Sequence, residues 1–360
     1  MATEMILSVV VGVATTALYI SLVWWLDRYE KEPLSLAAAV FFWGAIPAVV
    51  LSLVAELALD VPLLMLGQGL AHEVISSSLI APVVEEVVKA IALLGLLMFW
   101  RHEFDNVLDG IIYGALVGFG FAMVENVFYA FGSVAEGSWG VVLPMRTLLF
   151  GLNHSFFTSL TGIGLGYSRL AGERWQRWLA PWLGLGAAIT FHAVHNLGAS
   201  LAELTCLTIV VSLVADWGGV LVVVAIALFA ARHESQIIAT ELHAEIAAGI
   251  LAQREYQVVG SYRQRMITRW RAWRARDRRA WRQWGRLFHL LTELAFKKHQ
   301  RRRLGQDEGH TAMLVRLRQE IVALRREMGL IAPQVYCVRC GNSLAHDDAF
   351  CRQCGQPTIT

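Results

Sequence analysis

Charge is what this chain has least of: 17% of its 360 residues are Asp, Glu, Lys or Arg, whereas 56% are hydrophobic. That balance excludes an ordinary soluble domain and puts the chain in the membrane class. No HExxH occurs anywhere, so the zinc-protease signature that sets two histidines and a glutamate on one helix is absent. The opening residues Met1-Ala-Thr-Glu-Met5 have no basic segment, and Trp24-Trp25-Leu26 stands where a small-residue cleavage site would lie. Residues 5–26 are therefore expected to form a retained span rather than a cleaved signal. The scarce charge is also unevenly divided. It is sparse up to about Ala231 and arginine-rich beyond, so the net charge of +2 hides a membrane half and a basic tail.

Apolar runs of about 20 residues suffice to cross a bilayer core as helices. Seven are expected, near 5–26, 34–59, 74–100, 107–131, 140–167, 179–202 and 204–231. The fold class is thus an all-α polytopic membrane protein, about seven transmembrane helices followed by cytoplasmic helices and a small zinc ribbon. Loops after the odd-numbered spans carry Arg28 and Lys31, Arg101, Arg169, Arg174 and Arg177, and Arg232, while those after the even-numbered spans carry no Lys or Arg. By the positive-inside rule the N-terminus is outside an inner-membrane location and the tail cytoplasmic. Arg146 runs against this pattern; near the outer end of the fifth run it either snorkels or serves a site.

What remains inside the apolar runs is a dispersed set of polar residues. Glu85, Glu86 and Lys89 interrupt the third run, Glu125 and Asn126 the fourth, His154 the fifth, and His192, His195 and Asn196 the sixth. An ionised side chain at mid-membrane costs about 2.5–3.5 kcal/mol, so such a group needs either a function or a tight partner. On a helix Glu85 and Lys89 share a face and Glu86 also reaches Lys89. One carboxylate is then held charged while the other structures the site. His192 and Asn196 likewise share a face and suit the stabilisation of an oxyanion. The plainer reading makes Glu85–Lys89 a structural ion pair, the asparagines interhelical glue and the histidines satisfied core residues. It suits Asn126 and His195 singly; three glutamates, a lysine and two histidines over four runs exceed what packing needs.

The motif Ala81-Pro-Val-Val-Glu85-Glu86-Val-Val-Lys89 matches the EExxK signature of PrsW-type intramembrane proteases. Glu125-Asn126-Val-Phe-Tyr129 resembles their following glutamate motif, and Asp27-Arg-Tyr-Glu-Lys-Glu32-Pro33 their acidic loop after the first span. Phe150-Gly-Leu-Asn-His154 and His192-Ala-Val-His-Asn196 are similar to the FxxxH and HxxxN patterns of the wider clan of CAAX prenyl proteases and bacteriocin-processing membrane peptidases. The resemblance spans residues 1–231 and implies an intramembrane endopeptidase acting on a membrane-associated protein substrate. It further implies that Glu85 with His154 activates a water, that His192 and Asn196 stabilise the oxyanion, and that Glu86, Lys89 and Glu125 position or tune them. A catalytic metal stays open as a zinc-dependent alternative, because His195, where the family leads one to expect an aromatic, lies three residues from His192. A non-enzymatic binding or immunity-type protein of the same fold, and a proton-coupled carrier using these acids, are the rival classes.

Beyond the membrane domain the sequence divides into 232–303, 304–332 and 333–360. From Ser261 to Arg303 stand fifteen Lys and Arg against Asp277 and Glu293, interleaved with Trp270, Trp273, Trp281 and Trp284. At 100° per residue Val259, Tyr262, Met266, those tryptophans, Phe288 and Leu291 fall on one stripe, which predicts a basic amphipathic helix. Its expected partner is an anionic lipid surface or a protein, in preference to nucleic acid. Leu314, Leu317, Ile321, Leu324 and Met328 follow coiled-coil spacing that could support an oligomer. Cys337-x-x-Cys340 and Cys351-x-x-Cys354, each followed by glycine, predict four thiolates around a structural zinc. Cys206, alone in an apolar run, reads as packing.

Overall fold

The computed structural model describes residues 1–29, 31–65, 67, 69–101, 103–202, 204–304, 308–330, 335–337, 343–344, 350–351 and 353–357. They form two compact units, Met1–Asp27 with Lys31–Ala230, and Arg28–Glu30 with Ala231–Thr360.

Among the described residues the regular structure of the first unit is helical: α1 (Ala2–Leu26), α2 (Leu34–Trp43), α3 (Val49–Leu64), α4 (Leu70–Ile75), α5 (Ala81–Phe99), α6 (Val107–Glu136), α7 (Trp139–Pro144), α8 (Asn153–Leu170), α9 (Arg174–Ser200) and the first part of α10 (Cys206–Ala247). Among the described residues four helical stretches are long and apolar enough to cross a membrane, Ala2–Leu26, Leu34–Leu64, Val107–Glu136 and Cys206–Ala247. The runs expected third, fifth and sixth are helical too, but they carry the polar residues. Three π turns, Gly44–Ala48, Ser76–Ile80 and Met145–Leu149, join α2 to α3, lead into α5 and follow α7. Each has a proline inside it or within two residues of it, Pro47 within the first, Pro82 just beyond the second and Pro144 directly before the third, whose missing N–H breaks the regular ladder. The fifth run is consequently not one helix: it breaks at residues 150–152, directly before His154.

The central element is α6, whose residues are buried nearly without interruption from Leu108 to Ala122. Asn106 caps it, accepting from the backbone N–H of Leu108 and Asp109 while Asp109 accepts from the N–H of Asn106. Gly137 closes it at φ 74. Gly110, Gly114 and Gly118, one turn apart, let α6 meet the backbone of α8, where a Cβ at Gly118 would lie 2.3 Å from the carbonyl oxygen of His154. Such a small-residue seam is how membrane helices approach closely.

The second unit packs the end of α10 with α11 (Gln253–Val259), α12 (Tyr262–Arg274), α13 (Arg278–Leu304) and α14 (Glu308–Glu327). Its core joins Ile238, Leu242, Val259, Phe288, Leu291, Leu314, Leu317, Ile321 and Leu324. The single amphipathic stripe expected from Val259 to Leu291 is therefore divided. The chain breaks at residues 275–277, with Arg276 at φ 58; Val259, Phe288 and Leu291 enter the core, and Trp270, Trp273 and Trp281 stay exposed. The α14 stripe is likewise satisfied within the chain's own core. Beyond it β1 (Val335–Tyr336) pairs antiparallel with β2 (Ser343–Leu344). Cys337 Sγ and Cys354 Sγ are 3.4 Å apart, with Cys351 in the same group, and Cys340 lies outside the described residues.

Candidate active site

The i, i+3 and i+4 spacing on α5 brings both carboxylates to one ammonium: Lys89 Nζ donates to Glu85 Oε2 and to Glu86 Oε1, each at 2.9 Å. Lys89 and Glu86 are completely buried and Glu85 nearly so. The two acids then differ. Glu86 is saturated, since Oε1 also faces His192 Nδ1 at 3.2 Å and Oε2 accepts from Thr158 Oγ1 at 3.0 Å. Glu85 Oε1 has no hydrogen-bond partner among the described residues, and Glu85 Oε2 is flanked by His154 Nδ1 at 3.8 Å and His192 Nε2 at 3.9 Å.

His154 enters because α8 begins at the break and presses on α6. Its Nδ1 lies 3.0 Å from Lys89 Nζ and its Nε2 2.6 Å from Glu125 Oε2. An ammonium only donates and a carboxylate only accepts, so the proton sits on Nε2 and the Nδ1 lone pair faces Lys89. Arg146, from the π turn before α8, serves the site: its guanidinium donates to Glu125 Oε2 at 2.8 Å and to Asn126 Oδ1 at 3.0 Å. Asn126 answers by donating to the Arg146 carbonyl at 3.2 Å, and so ties two helices together. Three carboxylates against Lys89 and Arg146 leave one formal negative charge in the cluster.

On α9, His192 joins the cluster and stacks on Phe157 at 4.8 Å. Asn196 is one turn away, its amide donating to the Ser77 carbonyl at 2.7 Å. That carbonyl needs a partner: in the π register of Ser76–Ile80 its i+5 residue is Pro82, which has no N–H. His195 points elsewhere, to Asp216 Oδ2 at 2.7 Å, which also accepts from Asn153 at 2.9 Å. The two imidazoles brought together are thus His154 and His192, not His192 and His195.

Sequence reading missed Thr158 and Asp216, and above all Glu56 on α3, which lies within electrostatic reach of Glu125, Lys89 and Glu85. The available signal was the i, i+4, i+8 series Ser52, Glu56, Asp60 in an otherwise apolar helix.

Glu85, Glu86, His154 and His192 each offer a ligand atom within 4.8 Å of the others, and all four are buried. Two carboxylates and two imidazoles suit a zinc-like ion, and Glu125 behind His154 Nε2 is the kind of carboxylate that commonly holds a metal-bound histidine. The donor set fits a metal, although the Lys89 ammonium stands against three of the four donors and would compete for the same centre. The cluster of Cys337, Cys351 and Cys354 could also hold a metal.

Residues 32–232 match the family described as PrsW family intramembrane metalloprotease. The chain is 28% identical over 191 residues to Protease PrsW of Geobacillus kaustophilus, covering 51% of this chain and 76% of that protein. It is 27% identical over 175 residues to Protease PrsW of Bacillus subtilis, covering 47% and 72%. A shorter match to Protease PrsW of Clostridioides difficile is 36% identical over 105 residues, covering 29% of this chain and 42% of the relative. No solved structure matches.

Proposed function

Since the chain belongs to the PrsW family of intramembrane proteases and is a membrane endopeptidase, we propose that Glu85 is the base that activates its hydrolytic water. The observation that carries this reading is the difference between the paired acids: Glu86 has every oxygen engaged, while Glu85 Oε1 has no hydrogen-bond partner among the described residues. Glu85 takes a proton from water as the water oxygen attacks the scissile carbonyl. Charge gathering on the carbonyl oxygen is met by the remaining N–H of Asn196, whose other N–H is anchored on Ser77, and by His192 in its doubly protonated form, with Nδ1–H on Glu86 and Nε2–H on that oxygen. The proton then passes to the leaving amine, the C–N bond breaks, and Glu85 returns to carboxylate. His154, both of whose nitrogens are engaged by Lys89 and Glu125, holds the Lys89 ammonium beside Glu85 where the water sits, and Lys89, Glu125 and Asn126 fix these groups.

A second reading is favoured by the four-donor set. A metal held by Glu85, Glu86, His154 and His192 would supply Lewis-acid polarisation and a more acidic water, with Lys89 displaced from the centre.

The test is cleavage of a single-pass membrane reporter by purified Glu85→Gln, which keeps shape but cannot accept the proton. Turnover is expected to disappear while the protein remains inserted and abundant, and wild-type rates in this variant would sink the proposal. Loss of wild-type activity to a chelator, restored by zinc in a chain lacking residues 333–360, would move the assignment to the metal.

The remaining functional assignments belong to the same proposal. Cys337, Cys340, Cys351 and Cys354 hold one structural zinc; the N-terminus lies outside an inner membrane crossed seven times, and the tail is cytoplasmic. The basic α12–α13 segment meets anionic lipid.

A further inference from the structure

Hydrolysis inside a bilayer consumes one water per bond, so a water-using site buried among apolar helices needs a polar route to a membrane surface. The α3 helix carries Ser52, Glu56 and Asp60 at i, i+4 and i+8, on one face. It packs against α5 and α6, the helices that carry Glu85 and Glu125. Ser52 is 2% exposed, yet its Oγ has no hydrogen-bond partner among the described residues. Glu56 Oε1 is also buried and unpartnered among them. At the end of the series Asp60 Oδ1 faces His72 Nε2 at 3.2 Å, without the alignment of a hydrogen bond.

Four consecutive polar groups with unmet hydrogen-bonding capacity are costly in a dry apolar setting, at about 1–3 kcal/mol each. Packing gives no return for that cost, because Leu or Ala at these positions would bury as well. Water satisfies all of them, and polar cavities with several partners are where buried water is held.

We propose that His72, Asp60, Glu56 and Ser52 line a water path that leads from the membrane surface where α3 ends to Glu85. Glu56 is its positioning residue: its carboxyl lies between the surface pair and Ser52 and gives water a buried hydrogen-bonding partner midway along the path. This inference rests on the hydrolase reading for its purpose, but its test is independent of any cleavage.

Single cysteines at Ser52, Asp60 and Val54 are introduced into the full chain in proteoliposomes. A charged, membrane-impermeant methanethiosulfonate is added to each side in turn, and the modified peptide is located by mass spectrometry. Val54 is 63% exposed on the lipid-facing side of the same helix and serves as the control. S52C and D60C are expected to react from the same single side, at least about tenfold faster than V54C, because a thiolate forms only where water reaches it. Adding Glu56→Leu should slow S52C by about tenfold, while Glu56→Gln, which keeps a hydrogen-bonding group, leaves it within about threefold. Equal rates for S52C and V54C, or S52C labelling unaffected by Glu56→Leu, would overturn the path. Failure of Glu85→Gln to abolish cleavage would leave these labelling results standing and remove only their purpose.

Discussion

At the scale of single residues, membrane burial sorts chemically identical groups into different tasks. Glu85 and Glu86 are neighbours on one helix, but Glu86 is spent on Lys89, His192 and Thr158, whereas Glu85 Oε1 has no hydrogen-bond partner among the described residues. A second pair of acids sits outside the spans, in the loop between α1 and α2. Glu32 accepts from Tyr113 Oη at 2.5 Å, and Asp27 accepts from the Glu32 backbone N–H at 3.1 Å. Burial, reinforced by the nearby Asp109 carboxylate, pushes the Glu32 carboxyl up to about 11, and burial raises Asp27 to about 6. A carboxyl raised in the folded state binds its proton more tightly there than in the unfolded chain. Stability is therefore greatest below the unfolded value and falls as pH rises toward the folded one. Thermal unfolding in detergent should show a midpoint that declines from pH 5 to pH 9, with Asp27 contributing only up to about 6. Glu32→Gln should flatten most of that slope, and an unchanged slope would show that the Glu32 proton is not the cause. At this scale much was legible in the sequence. The spacing of Glu85, Glu86 and Lys89 sets their mutual contact on any helix, whereas the approach of Glu56 depends on how α3 packs, which its own residues do not encode locally.

Secondary elements deliver these groups through two devices, proline-linked π turns and a glycine seam. The break before α8 puts Arg146 and His154 on opposite sides of an interruption, so both reach Glu125, Arg146 at 2.8 Å and His154 at 2.6 Å. A continuous helix would set them eight residues apart, more than two turns, and would not bring both to one carboxylate. The apolar run that contains them gave no sign of the break, because hydropathy is blind to hydrogen-bond register. The seam is a matter of distance. A methyl at Gly118 would meet the His154 carbonyl oxygen at 2.3 Å and the Ser155 Cα at 2.6 Å, so α8 must retreat. Gly118→Ala should cost about 1–3 kcal/mol of stability by overpacking, and turnover should fall further than stability, because the displaced residue is His154 itself. Gly132→Ala, on the same helix with nothing within 4 Å, is the control and should be neutral or stabilising by up to about 1 kcal/mol. Equal turnover in the two variants would mean that the seam does not set the site.

For the whole molecule, the composition break that separates an apolar half from a basic tail corresponds to two kinds of surface. Leu57, Leu221 and Phe229 are exposed on the first unit, as lipid contact requires, while the second unit turns its apolar groups inward and leaves an aromatic and basic hairpin outside. Periodicity predicts one helix over residues 259–291, but the chain turns where Arg276 takes a left-handed conformation that no periodicity reports. The break changes the geometry of docking, since Trp270, Trp273 and Trp281 now share the α12–α13 end of the unit with Arg269, which lies over Trp281 at 4.7 Å, and Arg274, which lies over Trp270 at 5.2 Å. Indoles beside guanidinium groups suit headgroup depth on an anionic bilayer, where each basic group near the surface contributes about 1 kcal/mol. Within the second unit Tyr29 stacks edge-on with Tyr262 at 6.3 Å and lies under the Arg265 guanidinium at 4.9 Å. The expectation concerns the full chain in proteoliposomes carrying a fluorophore at position 273 through Trp273→Cys. Brominated anionic lipid should quench it strongly at low salt and weakly at high salt, because the screening length shrinks from about 30 Å at 0.01 M to about 10 Å at 0.1 M. Brominated zwitterionic lipid should quench it little under either condition. Replacing Trp270 and Trp281 by alanine should lower quenching even at low salt, when charge alone would hold the hairpin. Salt-independent quenching, or none with anionic lipid, would assign the hairpin to a protein partner instead of the bilayer.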